Sequence, residues 1–224
     1  ADAASVFEMA LESGSSIQGL VGARLGILYM AQGDYERALP LIREAMASPE
    51  APPSAAFFYA LCLQIIGLDT EAISELDKVV SGGGPFASEA AVQMALLYLV
   101  QGMLDRANDA LRRAGDATTA RAQTVQGLIR MQEGDLNAAQ QAFRGAIRLE
   151  PQYAPAYLEN GLLSIARNVI PDGLRDLERY LELIGEDSTG TRANEIRLLV
   201  EQLKQTVEEG AASAPAALTR TAGE

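Results

Sequence analysis

Few residues in this chain have the types and spacing to do chemistry, and each fits a bland role. The stretch Ser81-Gly82-Gly83-Gly84-Pro85-Phe86 has the glycine density of a phosphate cradle. No Gly-Lys-Ser/Thr follows it, so the lysine and hydroxyl that would hold phosphates and magnesium are missing, and an inter-helix turn is the expectation. Cys62 is the single cysteine. It falls within an apolar helical stretch with no identifiable activator and is expected to be buried and inert. Glu208 and Glu209 are adjacent acids, but they are expected to close a helix beside Gly210 and a mobile tail, where no water-excluding cleft would raise a carboxyl pKa. The chain contains no histidine, which removes the usual base near neutral pH, the Ser-His and Cys-His nucleophile pairs and the commonest zinc ligand. No metal-loop spacing of acids and no Asn-x-Ser/Thr sequon occurs, so the sequence calls for no metal, no cofactor and no catalytic residue.

Composition agrees with a folded, non-catalytic chain. Over 224 residues, 48% are hydrophobic, which is too apolar for general disorder. With 18 basic and 30 acidic residues the net charge is −12, so nucleic acid and anionic membrane surfaces are repelled at long range. The most apolar run, AAVQMALLYLV, is broken by Gln93 and followed by Gln101 and Gly102, and is too short for a direct membrane span. The chain opens on Ala1 with no charged and apolar leader, so a signal peptide is expected to be absent or already removed. Localisation is not readable. Sixteen arginines to two lysines in an alanine-rich chain suggest GC-rich bacterial coding.

What must position any functional residue is a repeat. Aligned on Gly33, Gly67, Gly102, Gly134 and Asn168, the chain repeats at spacings of 34, 35, 32 and 34 residues. Seven residues before each anchor stands a small residue: Gly26, Ala60, Ala95, Gly127 and Gly161. Five after comes another: Ala38, Ala72, Ala107, Ala139 and Gly173. Nine after comes a large apolar one: Ile42, Leu76, Leu111, Phe143 and Leu177. Twelve after stand Ala45, Val79, Ala114, Ala146 and Tyr180. Small residues on both sides of a turn let two antiparallel helices approach, and the large one fills the gap beside them. In QGDYERALPLIREAM, Gly33 ends the first helix in left-handed conformation and Asp34 caps the second. Pro40 should bend that second helix slightly, and Pro171 sits in a first turn, where proline is tolerated. One hairpin cannot bury its apolar face, so neighbours must stack.

This pattern resembles the tetratricopeptide repeat family, over about residues 1 to 187. The fourth repeat matches best, with Gly127, Gly134, Ala139, Phe143, Ala146 and Pro151 standing where the family has Gly, Gly, Ala, aromatic, Ala and Pro. The resemblance implies an all-α, right-handed superhelical solenoid of antiparallel helix pairs. Five repeats are expected at about 19–52, 53–87, 88–119, 120–153 and 154–187. The family's early tryptophan is replaced by Gly22, Ala56, Ala91 and Gln123, with an aromatic only at Tyr157, which implies looser packing there. Residues 1–17, with Ala3, Phe7 and Ala10 at small, large and small positions, read as the second helix of a truncated repeat, so a fragment of a longer repeat protein is expected over a capping helix. Residues 190–209, with Ile196, Leu199, Leu203 and Val207 on one stripe, read as a capping helix or half repeat, and 210–224 as a mobile tail.

The resemblance also implies where a partner binds. Positions 2, 5, 9, 12 and 13 of each first helix line the concave face of the family. Position 5 is Ala23, Phe57, Val92, Thr124 and Leu158; position 9 is Ile27, Leu61, Leu96, Leu128 and Leu162; position 12 is Met30, Gln64, Leu99, Met131 and Ile165. The Lys, Arg and Asn clamp by which some members grip a peptide carboxylate is absent from this row. The expected partner is another protein or peptide, an apolar or amphipathic helix or an extended hydrophobic segment. The alternatives are that these side chains are consumed in packing between repeats, and that the chain is a homo-oligomerisation module working through its open end helices. Among bacterial members the resemblance implies pilus, secretion and polysaccharide-export assembly factors as well as cytoplasmic adaptors.

Overall fold

A helical hairpin needs one residue able to reverse the chain, and here all five anchors adopt left-handed backbone. In the computed structural model, which describes residues 3–12, 18–115, 119–185, 188 and 190–213, Gly33, Gly67, Gly102 and Gly134 have φ of 81°, 82°, 71° and 86°. Asn168 has φ 61° and is the one described non-glycine residue with positive φ. Glycine takes this conformation without a Cβ penalty, and asparagine tolerates it better than most side chains. Each anchor closes its helix with the same two bonds. The Gly33 amide donates to the Met30 carbonyl at 3.0 Å and the Asp34 amide to the Tyr29 carbonyl at 2.9 Å. At the other end of the series the Asn168 amide donates to Ile165 and the Val169 amide to Ser164, both at 2.9 Å. This double bond pattern satisfies carbonyls that a helix end leaves open.

The described residues form twelve helices and no strand. Clustering divides the chain into two compact units, Ala1–Ala117 and Thr118–Glu224. The first holds α1 (Ala3–Glu12) and three hairpins: α2 (Gln18–Ala31) with α3 (Tyr35–Met46), α4 (Ala55–Ile65) with α5 (Asp69–Gly82), and α6 (Ala87–Val100) with α7 (Leu104–Arg113). In it α1 packs on α2, α3 on α4 and α5 on α6, so each hairpin covers the next. The second unit holds α8 (Ala120–Gln132) with α9 (Leu136–Leu149), α10 (Ala154–Ala166) with α11 (Ile170–Ile184), and α12 (Thr191–Ser213). There α10 rests on both α8 and α9, and α12 closes against α11.

Within a hairpin the small and large positions interlock. A Cβ on Gly26 would lie 2.5 Å from Ile42, and one on Gly161 2.9 Å from Leu177. The same holds for Gly127 against the Phe143 ring. Ile42, Phe143 and Leu177 are fully buried, each contributing about 1.5–3 kcal/mol by the usual transfer measure. Asp34 accepts from the Arg37 amide and Asp135 from the Ala138 amide, capping α3 and α9. Helix α3 runs through Pro40, which is exposed, and Pro171 lies in the first turn of α11. The glycine run joins α5 to α6, with φ of 69° at Gly83 and 93° at Gly84, as an inter-helix turn.

The ends depart from their expected registers. In α1 it is Ala4 that is buried and Ala3 that is exposed, because Phe7 and Leu11 are drawn to the Leu25–Tyr29 cluster. The Tyr29 hydroxyl donates to Glu8 and accepts from Arg37 at 3.1 Å. In α12, Ile196 and Val200 are buried against Leu177 and Tyr180, while Val207 is exposed. That helix does not stop at Glu208 and Glu209: it continues to Ser213, since one glycine followed by two alanines weakens a helix without ending it. Residues 1, 2, 13–17 and 214–224, and the side chains of Glu208 and Glu209, lie outside the described residues.

Candidate protein-interaction surface

The first helix of each hairpin carries the residues singled out from the sequence. In the first unit Ile27, Met30, Leu61, Gln64 and Leu96 are half-buried, and Ala23, Phe57, Val92 and Leu99 are buried. In the second unit Leu128, Met131, Leu162 and Ile165 are half-buried, and Thr124 and Leu158 are buried. The position 5 side chains are therefore core residues, a correction to their reading as part of an open surface. Neighbouring helices explain it. The Phe57 ring stacks on Phe86 at 5.5 Å and meets Phe58 edge-on at 5.7 Å. The Thr124 hydroxyl donates to the Ala120 carbonyl at 2.9 Å and is satisfied inside its own helix.

Positions 9 and 12, apart from the buried Leu99, keep surface but share it with packing. Gln64 accepts from the Gln93 amide of α6, so its polar end links two hairpins. Ile165 reaches over Gly173, whose missing Cβ would meet it at 2.5 Å. Position 13, which also belongs to the implied concave set, supplies two strongly exposed residues, Ile65 and Val100. Their position number in the repeat was the signal that pointed to them.

Where the family's tryptophan is replaced by Gly22, the first unit has a cavity of about 310 Å³ lined by Leu11, Gly19, Gly22, Leu41 and Ala45, among others. In the second unit Tyr157 stands at the equivalent place and donates to the Pro151 carbonyl at 3.1 Å. An open cleft of about 620 Å³ lies at the first turn, between Gln32–Glu36, Leu39 and Ile66. Asp34 in the second is held below the usual carboxylate range by its bonds to Arg37. Cys62 is buried in α4, and burial pushes its thiol up to about 11, which keeps it protonated and unreactive. Among the described residues no group of three or more acids or cysteines could hold a metal, and no helix is long and apolar enough to cross a membrane.

The second unit contains a polar cluster that sequence reading missed. Asn160 and Ser164, one turn apart on α10, are buried. The Asn160 amide donates to Asp176 of α11, whereas Asn160 Oδ1 and Ser164 Oγ have no hydrogen-bond partner among the described residues. Burial raises the Asp176 and Glu159 carboxyls above the ordinary range, against the pull of Asn160 on the first and of Arg192 on the second. Asn and Ser at i, i+4 inside an apolar helix were the available signal.

Comparison with known proteins gives the fold a context. Tetratricopeptide repeat family models match residues 24–91 and 120–153. No curated protein matches the chain. Among solved structures, pilF of Pseudomonas aeruginosa is 17% identical, with a TM-score of 0.68 over 87% of each chain. A thermophilic tetratricopeptide repeat protein of Thermus thermophilus, TTC0263, is 19% identical with a TM-score of 0.68, over 84% of this chain and 99% of its own. YrrB, described as having an unusual peptide-binding site, is 17% identical with a TM-score of 0.56, over 91% of this chain and 100% of its own. At these identities the likeness is one of fold.

Proposed function

This chain carries tetratricopeptide repeats, and on that premise we propose that it is a non-enzymatic protein-protein interaction scaffold that takes an apolar helix or extended peptide against the first helices of its hairpins. One observation carries the reading. Ile27, Met30, Leu61 and Leu96 in one unit, and Leu128, Met131, Leu162 and Ile165 in the other, are large apolar side chains that keep part of their surface. A row of this kind rewards an apolar ligand and offers no clamp for a carboxylate. The peptide-binding site named for YrrB supports a peptide ligand, and a place in a bacterial pilus, secretion or polysaccharide-export assembly belongs to the same proposal.

The test is a pull-down from the source organism with wild type and with a Leu96→Glu, Leu128→Glu variant shown by circular dichroism to stay helical. A partner held by wild type and lost by the variant is the expected result. An unchanged partner list rejects the surface. A second reading, self-association through α1, rests on Val6 and Met9, which are 52% and 59% exposed. Deleting residues 1–17 would then reduce the mass in solution from oligomer to monomer.

A further inference from the structure

The hairpin turns of the second, third and fifth repeats break a local rule. The residue after each left-handed anchor is the N-cap of the following helix, where a polar side chain satisfies open amides. Asp34 and Asp135 do this in the first and fourth repeats. Leu68 and Met103 stand at the same place, form no side-chain cap, and are 41% and 42% exposed, as is Val169 of the fifth repeat, in the second unit, at 42%. They give up the cap without entering the core.

Around Leu68 and Met103 the chain leaves more apolar surface in the open. Ile65 and Ile66 at the end of α4 are 53% and 44% exposed, and Val100 at the end of α6 is 81% exposed. With Leu68 and Met103 these make five residues of the first unit, at the turn ends of two consecutive hairpins. Exposed apolar residues gathered at one end of neighbouring hairpins mark an interaction site, and residues that violate local preference without gaining burial mark function more often than folding.

The surrounding charge says what covers it. The first turns of the second helices contribute Glu36, Asp69, Glu71 and Asp105. Arg37 is engaged by Asp34, and Arg106 lies against Met103 and the Tyr98 ring. The rim remains acidic. Successive hairpins packed at roughly the 8–10 Å spacing of neighbouring helices place their turns about as far apart as residues i and i+7 of a helix, roughly 10.5 Å. We propose that the turn edge of the second and third repeats, formed by Ile66, Leu68 and Met103 beside the exposed position 13 residues Ile65 and Val100, is a docking surface, apart from the position 9 and 12 row, for an amphipathic helix whose apolar stripe is flanked by Lys and Arg.

The experiment uses Leu68→Asp, Met103→Asp, a change that restores both caps, so its denaturation midpoint should equal or exceed that of wild type. The probe is a dye-labelled 18-residue model helix with leucine at i, i+3, i+4 and i+7 spacing and lysine on its flanks, followed by fluorescence anisotropy. Binding should weaken at least tenfold in the variant and stay within twofold in Leu96→Glu, which alters only the position 9 and 12 row. A peptide with glutamate in place of lysine should bind wild type at least tenfold more weakly. Two added acids would strengthen a purely electrostatic attraction to a cationic peptide, so weakening can come only from lost apolar contact. Ile66→Glu, off the cap position, gives the same readout should the double variant fold poorly. Unchanged or stronger binding in these variants, loss confined to Leu96→Glu, or a wild-type dimer that becomes monomer in the variant would each overturn the assignment, the last by placing a second copy on the surface.

Discussion

A single Cβ decides the turns and the hairpin contacts. At Gly67, φ of 82° puts any other side chain in a conformation that costs about 1–3 kcal/mol, so Gly67→Ala should lower the urea midpoint while leaving helix content unchanged. Asn168 already carries part of that cost, and Asn168→Gly should raise the midpoint. Gly127→Ala is a different case, because its φ is ordinary and the obstacle is the Phe143 ring. Overpacking of this kind costs about 1–3 kcal/mol, and a second change, Phe143→Leu, should return part of it in a double-mutant cycle. Glycine in the anchors and the small-large alternation were legible in the sequence because both act between near neighbours in the chain. Reactivity at Cys62 follows from its burial: a thiol reagent at pH 8 should leave it untouched until the protein is unfolded.

At the scale of elements, the α10–α11 pair and the α3 hairpin should answer pH in opposite senses. Asp176 faces Asn160, Arg175, Asp172 and Arg144, and Glu159 faces Arg192, but burial dominates and raises both carboxyls. Between the ordinary carboxylate pKa and the raised one, the folded state binds more protons than the unfolded chain, so stability falls as pH rises through that window. Asp34, lowered chiefly by its hydrogen bond to the Arg37 side chain, has the reverse sign: its contribution is present above the ordinary carboxylate pKa and is lost as pH falls through the lowered one. Hydrogen exchange, corrected for intrinsic rates, should show α10–α11 better protected at pH 5 than at pH 7. Asp176→Asn with Glu159→Gln should flatten that difference, and equal protection in wild type at both values would refute it. This cluster was hidden in the sequence because a polar residue's environment depends on helices far away along the chain.

For the molecule at large, the stability of each unit rests on hairpins covering one another. Ile196 and Val200 of α12 close the last hairpin over Leu177 and Tyr180, each side chain contributing about 1.5–3 kcal/mol. Removing residues 190–224 should therefore lower the melting temperature by several degrees and promote aggregation, read by differential scanning calorimetry and light scattering. The sequence by itself determined the repeat register, the left-handed anchors and the interlocking of small and large residues within each hairpin, since these are periodic and act over a few turns of chain. Tertiary structure alone decided which residues of the first helices keep any surface. Ala23, Phe57, Val92, Thr124 and Leu158 share the helical face of their position 9 and 12 neighbours in sequence terms, yet they are buried. The neighbouring repeat covers one part of that face and leaves the other, and its angle of approach is set by packing between hairpins rather than by the period.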